Sequence, residues 1–323
     1  MFLLPLVGAA VAPARPADKT DTLRLESSVV AMGSAYSVVV YGEDRTRMEA
    51  AVDAAFAEVH RLDEMLSNYK PESELSEINR KAGESAVDVT PDLFGLLQAC
   101  VEYSRQSEGA FDITVGPLMK VWGFYKGTGR LPHRAEIRGA LEHVGYRNIV
   151  LDSAQRTVRF AQRGMELDPG GIGKGYAVDR MVEILKQYGT RTALVSASGS
   201  SIYGLGTPPG EKGWRVHIRD PKDDSKSVED VYLKDESMST SGNYEKFFRA
   251  EGRIYSHIMD PRTGWPAQGV LSVSAVAPRT VDSEAWTKPL FVNGRAWAAK
   301  HKPAGLRAFF CEDTPEQSCA WLQ

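Results

Sequence analysis

The sequence predicts an α+β fold, and three observations carry that expectation. Strand-like and helix-like stretches are interspersed without the regular strand–helix–strand rhythm of a doubly wound sheet. Near the start, Leu23–Val30 and Ala35–Tyr41 are rich in β-formers and are parted only by Met32-Gly33-Ser34, which predicts a strand, a tight turn and a second strand. Third, the chain has 323 residues, 42% of them apolar and 25% charged, enough to bury a large core as one big domain or two lobes.

The elements follow in order. Met48, Val52, Ala55, Phe56, Val59, Leu62 and Met65 recur at helical spacing and predict an amphipathic helix over about Arg45–Leu66. Ser67–Ser73 is a loop whose Tyr69 is not needed by any evident core, and Ser73-Glu74-Leu75-Ser76 opens a short helix to about Lys81. Thr90 is a good N-cap and Pro91 a good first residue for a helix over Pro91–Gln106. Gly109–Phe124 reads as a packed turn and one helical turn, and His133–His143 as a helix. Asn148–Leu151 and Thr157–Phe160 read as a hairpin. Thr192–Ser196 and Ser201–Leu205 are strands around the small-residue turn Ala197–Ser200, with further strands at Trp214–Arg219 and Val228–Lys234. Ser239–Tyr244 reads as a turn, Tyr255–Pro266 as a strand entering a bend, and Val270–Ala277 as a strand. Val281–Val292 reads as a helix that Pro289 should kink, and Arg307–Cys311 as the last strand.

These elements are organised around Glu166–Asp179, ELDPGGIGKGYAVD. Ile172, Tyr176, Ala177 and Met181 share one helical face, so a helix opens near Ile172 and runs to about Tyr188. Glycines at a helix start let backbone N–H groups approach an anion, and the helix dipole adds partial positive charge there. Asp168 and Lys174 place opposite charges at the same corner. The stretch suits a diphosphate or metal–diphosphate cradle; the plainer alternative is a glycine-rich turn with a surface salt bridge. Its spacing is neither GxGxxG nor that of a phosphate-loop NTPase.

A net charge of −3 offers no basic field of the kind nucleic-acid binding needs. No apolar run approaches the roughly 20 residues that span a bilayer. Residues 1–21 look like a secretory signal, with the apolar run Phe2–Ala12 followed by VAPARPA, although no Lys or Arg precedes the run. Export to the periplasm or cell-envelope side is the expectation. Cys100 lies in the apolar helical run LFGLLQACVEY and reads as a buried thiol. In an exported protein Cys311 and Cys319 can close a small loop if their Cα atoms approach closely enough.

Several stretches together resemble the ApbE-type flavin transferases (FAD:protein FMN transferases): MGSAYSV, SNYKPESELSEIN, GAFDITVGPLMKVWGF, ELDPGGIGKGYAVD, STSGNYEKFF and YSHIMDPRTGWPA, in that order over most of Met32–Gly294. The resemblance implies one two-lobed domain of that type over residues 22–323, with mixed or antiparallel sheets and flanking helices. It implies an enzyme that splits FAD with Mg²⁺ assistance and passes FMN to a Thr or Ser hydroxyl of an acceptor protein, releasing AMP. Such an acceptor can bring the enzyme close to a membrane. The other readings are an FAD pyrophosphatase and a flavin-binding module that has lost transfer.

By the same resemblance, Met32, Tyr69, Ala110, Phe111, Asp112, Asp168, Lys174 and Met259 contact FAD. Tyr69 offers a ring for stacking, Met32 a polarizable thioether, and Asp112 an acceptor for nucleotide donors. His257 is the candidate general base, oriented or stabilised by Asp260. The metal site implied is the carbonyl of Gly171 with groups on the helix that carries Asp282, Glu284, Thr287 and Lys288. Glu284 falls at the expected carboxylate and Lys288 at the expected hydroxyl, where an ammonium has no lone pair for a metal. A second departure is the run Ser196–Ser201, SASGSS, which offers hydroxyls where the family has a carboxylate. Two arrangements are open: Lys288 turns away and Asp282 or Thr287 joins Glu284, or Lys288 itself replaces the metal. The first is expected, because the other motifs look intact for catalysis.

Overall fold

The computed structural model describes residues 22–127, 129–314 and 318–323. The signal-like segment, residues 1–21, lies outside the described residues. The chain opens with strands β1 (Leu23–Ala31) and β2 (Ser34–Gly42), then α1 (Arg45–Leu66), α2 (Glu74–Lys81), β3 (Val87–Asp88) and α3 (Pro91–Gln106). There follow α4 (Gly116–Val121), α5 (Arg134–Leu141), β4 (Ile149–Asp152), β5 (Thr157–Phe160) and α6 (Gly173–Gln187). Next come β6 (Thr192–Ala197), β7 (Ser201–Leu205), β8 (Trp214–Asp220), β9 (Asp223–Leu233) and β10 (Glu236–Gly242). The last third holds β11 (Phe247–Ala250), β12 (Arg253–Ser256), β13 (Met259–Asp260), β14 (Trp265–Pro266), β15 (Val270–Ala277), α7 (Thr280–His301), β16 (Arg307–Glu312) and β17 (Cys319–Trp321).

Eight strands form one sheet in the order β1-β2-β6-β7-β10-β15-β16-β17. Every one of its pairings is antiparallel. One core spreads between this sheet and helices such as α1, α3, α6 and α7, burying Val38, Val59, Leu97, Met181, Val273 and Phe291 among others. A smaller apolar cluster, with Trp214, Ile218, Leu233 and Phe309, joins the hairpin β8–β9 to the sheet. A third, around Trp122, Ile137, Tyr255 and Met259, builds a separate lobe from α4, α5 and the strands β12 and β13. The α+β, two-lobed expectation holds.

Local signals explain why most boundaries fall where the sequence puts them. Asp44 accepts from the Arg47 N–H (3.0 Å) to start α1, and Ser73 accepts from the Ser76 N–H (3.0 Å) to start α2. Thr90 caps α3 with Pro91 in its first turn. Cys100 is buried, which pushes its thiol pKa up. Cys311 and Cys319 are bridged, with Cα atoms 4.1 Å apart, joining the last two strands.

Three expectations need correction. Ser239–Tyr244 is not a turn: most of it lies in β10, a central strand. Its Ser and Thr hydroxyls satisfy one another across the sheet, as in Thr240–Ser274 (2.7 Å), so polar residues sit in the interior at little penalty. The kink in α7 is at Gly294, whose φ of 74° is left-handed, and not at Pro289. Finally, Arg307–Cys311 is followed by β17, and the short hairpin β11–β12 precedes the bend.

Candidate active site

The start of α6 is built as the glycine-rich stretch predicts. The Asp168 N–H donates to the Ile113 carbonyl (2.7 Å), and the Asp168 carboxylate accepts from the Gly170 N–H (2.7 Å), closing a turn over Pro169–Gly171. Gly175 is a glycine because α7 passes too near for anything larger: a Cβ there would lie 2.5 Å from the Thr280 carbonyl oxygen. The same approach lets the Gly175 N–H donate to the Glu284 carboxylate. Part of the anion-binding capacity of this helix start is therefore met from within the protein.

Around it the chain gathers residues from distant elements. Met32 lies in the β1–β2 turn with a left-handed φ of 51°, and its methyl stands 3.4 Å from where a Gly173 Cβ would be. The Tyr36 hydroxyl donates to its sulfur (3.3 Å). The Lys174 ammonium donates to the Ser200 hydroxyl, so the run Ser196–Ser201 does reach the cradle. Lys288 lies along Gly171, its Cε 3.5 Å from a Cβ built there, and Phe111 lies at the same distance.

Beside the turn, Tyr69 is 72% exposed and its ring centroid is 5.6 Å from that of Tyr125. The Asn68 amide donates to the Tyr125 hydroxyl (2.5 Å). Together with Asn79, Lys120 and Glu166 these side chains line a cleft of about 250 Å³. Burial pushes the Asp168 carboxyl up, against the pull of the Gly170 N–H, the Asn68 amide and the Lys246 ammonium.

His257 stands at the end of β12, half-buried, with Nδ1 3.2 Å from the Lys246 carbonyl oxygen. A carbonyl only accepts, so the neutral ring carries its proton on Nδ1 and leaves the Nε2 lone pair free. Burial pushes the imidazole down to about 4, and the Lys246, Lys288 and Lys174 ammoniums add to that, while the Lys246 carbonyl opposes it. Lys246 thus acts on both His257 and Asp168, and it ties the two sides of the site together. The bend after His257 is held by Gly264, where a Cβ would meet Ile137 at 2.7 Å, and whose carbonyl accepts from the Trp122 indole (2.8 Å).

Not every candidate comes to the site. Asp260 does not orient His257; its carboxylate accepts from the Arg262 N–H (3.0 Å) and guanidinium (2.9 Å) and builds the bend. The Asp112 carboxylate is already engaged within the protein. Its buried oxygens accept from Thr114 (N–H 2.9 Å, hydroxyl 2.7 Å) and from the Tyr146 N–H (2.8 Å), making it a loop clamp. Ala110 and Met259 are buried, Met259 in the core of the second lobe. Sequence reasoning missed Asn68, Tyr125 and Lys246; Asn68 and Lys246 lie inside the quoted stretches SNYKPESELSEIN and STSGNYEKFF, where they were legible.

Of the metal set implied by the resemblance, Gly171, Glu284 and Lys288 come together while Asp282 and Thr287 are engaged elsewhere, and the expected arrangement on α7 is wrong. Asp282 turns away to accept from the Tyr103 hydroxyl (2.5 Å) and the Arg279 guanidinium (2.7 Å), beside a different cleft. The Thr287 hydroxyl is closed between Ser241 (2.7 Å) and the Glu284 carbonyl (2.7 Å). Lys288 does not turn away: its Nζ donates to the Glu284 carbonyl (3.1 Å) and lies 3.9 Å from Glu284 Oε1. Burial pushes Lys288 down to about 8, with Glu284 holding it up, so at neutral pH it remains largely an ammonium. One carboxylate already bonded to an N–H, beside a cation, does not fit Mg²⁺, which wants several oxygen donors in an octahedron. Among the described residues no group of three or more His, Cys, Asp or Glu side chains suited to a metal gathers anywhere.

The model of the ApbE family matches residues 32–310. A protein of Klebsiella pneumoniae (strain 342) named FAD:protein FMN transferase is 32% identical, covering 88% of this chain and 87% of its own. One of the same name from Treponema pallidum (strain Nichols) is 34% identical, covering 86% and 82%. Among solved structures, the ApbE protein of Thermotoga maritima superposes with a TM-score of 0.84 at 30% identity, covering 92% of this chain and 96% of its own. The Pseudomonas stutzeri flavinyl transferase ApbE in its apo form gives 0.83 at 28% identity, covering 94% and 96%. The chain belongs to the ApbE family.

Proposed function

We propose that this chain is an FAD:protein FMN transferase. It binds FAD, breaks the diphosphate, and passes FMN to a Thr or Ser hydroxyl of an acceptor protein, releasing AMP. The observation that carries this is the His257 ring, its Nδ1 on the Lys246 carbonyl so that Nε2 is left free, with the Lys246, Lys288 and Lys174 ammoniums near enough to help hold it neutral. In transfer, the acceptor hydroxyl oxygen attacks the FMN phosphorus while its proton passes to His257 Nε2. The bond from that phosphorus to the bridging oxygen breaks, and the electron pair leaves on the AMP phosphate. Lys174, Lys246 and Lys288 stand where the negative charge grows. Tyr69, exposed beside Tyr125, is the platform for a flat ring of FAD.

Magnesium is left out of this reading, because the groups around Glu284 do not fit it. The acceptor works on the exported side of the cell, periplasmic or at the envelope, which can place this enzyme near a membrane. The Cys311–Cys319 bridge supports that location, since such bridges persist in oxidising compartments.

The test is incubation with FAD and a Thr-bearing acceptor protein, resolved into protein-linked flavin, free FMN and intact FAD. Protein-linked flavin is expected; free FMN alone would make the chain a pyrophosphatase. His257→Ala should lower transfer about 10²–10⁴-fold with FAD affinity kept. The wild-type rate should fall only as pH approaches about 4, with no inflection near 6.5, the ordinary value. Stability follows the same window. Unfolded chains take up a proton near 6.5 and the folded ring does not, so this contribution is lost as pH falls from 6.5 towards about 4.

A further inference from the structure

We infer that the Lys288 ammonium is the cation of the diphosphate site, so that the cradle holds a diphosphate without a divalent ion. This rests on the flavin-transferase reading and deepens it. The geometry accounts for the α7 side chains that could have held a metal. Glu284 is 2% exposed; its Oε2 is occupied by the Gly175 N–H and its Oε1 faces Lys288 Nζ at 3.9 Å. Thr287 is tied to Ser241, Asp282 to Tyr103 and Arg279. The position next to Glu284 is thus already filled by a positive charge, and a second one would meet like-charge repulsion in a poorly solvated corner.

An ammonium has three N–H donors in a compact head. In Lys288 the head donates to the Glu284 carbonyl at 3.1 Å and stands 3.9 Å from its carboxylate, beyond hydrogen-bond reach, so it has donors left for a ligand. Its side chain keeps 21% exposure, and its stem runs along Gly171. Lys174 supplies a second ammonium, held by Ser200 of the run Ser196–Ser201, in which the family resemblance implies a carboxylate. The two departures belong together: the pocket loses acidic groups at one wall and gains a cation at the other. Lys288 forms and breaks no covalent bond; it donates to a diphosphate oxygen and balances the charge left on AMP.

The experiment measures binding of ADP, and separately of FAD, by calorimetry in EDTA and in Mg²⁺. Wild type, Lys288→Met, Lys288→Arg and Lys288→Thr are compared, each first checked by thermal unfolding. Wild type should bind ADP equally well in EDTA and in Mg²⁺. Lys288→Met should lose about 10–100-fold in EDTA, the effect of one hydrogen bond to a charged group, and Lys288→Arg should retain most of the affinity. Lys288→Thr should bind weakly in EDTA and recover in Mg²⁺. Wild-type ADP binding that requires Mg²⁺ overturns the inference and leaves the transferase reading standing. Equal affinities of wild type and Lys288→Met in EDTA also overturn it. Absence of both ADP and FAD binding under all conditions overturns inference and reading together.

Discussion

Helices α6 and α7 both begin without a side-chain cap of their own, and each is capped by a carboxylate from the other. Asp179 on α6 accepts from the first N–H groups of α7, Thr280 at 2.7 Å and Val281 at 2.9 Å. Glu284 on α7 accepts from the Gly175 N–H of α6. The two carboxylates answer the same orphan donors and the same dipole. They differ in their second oxygen. Asp179 uses both oxygens on backbone N–H groups and is a pure clamp, whereas Glu284 keeps one oxygen facing Lys288. A single structural device, used twice, becomes part of a reactive corner only where a cation stands beside it.

The largest effect that can break this comparison is on stability. Glu284→Ala leaves the Gly175 N–H without its partner and the Lys288 ammonium without its counter-charge, and should lower unfolding free energy by about 3–5 kcal/mol in denaturant melts. A loss no greater than that of Asp179→Asn would mean that Lys288 draws nothing from Glu284.

Asp179→Asn is the milder change, since the amide still accepts one of the two N–H groups; about 1–3 kcal/mol should be lost. Its pH dependence sharpens the contrast. Burial pushes the Asp179 carboxyl up to about 6, against the bonds from Val281 and Thr280. An unfolded Asp titrates near about 3.9, so between there and the folded value the native state binds the proton more tightly. The margin of wild type over Asp179→Asn should therefore shrink as pH rises from 4 to about 6 and be flat above. A margin that grows with pH over that range would show the carboxylate to be the better-held form.

The smallest effect belongs to Met32, outside both caps. Its left-handed backbone is one that Asn adopts readily, so Met32→Asn gives back up to about 1 kcal/mol of strain while losing packing. Net stability should stay within about 1 kcal/mol of wild type, and FAD affinity should fall. Unchanged affinity would remove Met32 from the flavin site.

How much of this was legible depended on whether the deciding contact was local. The helices Arg45–Leu66 and Pro91–Gln106 were readable to the residue, because their apolar period and their caps lie within the same stretch. The glycine-rich start of α6 was readable from its own stretch, and His257 was singled out by its motif. The central strand β10 was not: Ser, Thr, Gly and Asn signal a turn, and only partners such as Ser274 and Thr287, far along the chain, make them a strand. Asp260 and Asp112 failed for a related reason, since a carboxylate looks the same whether it serves a ligand or a nearby N–H. The direction of Lys288 was open in the sequence and was decided by Glu284 and Gly171, which close round it in three dimensions.

The hydroxyls of β10 have one more consequence. Ser239 pairs with Ser283 of α7 (2.8 Å), Ser237 donates to Ser283 (3.0 Å), and Ser241 pairs with Thr287 (2.7 Å). A helix lying on leucines and valines can slide by a fraction of a turn with little change in contact area. One pinned through successive hydroxyls cannot, because each bond needs its partner within a few tenths of an ångström. The seam works as a ruler for α7 along its own axis. Glu284 and Lys288, next to the pinned residues, inherit that registration, and the charges they carry are aimed before any substrate arrives.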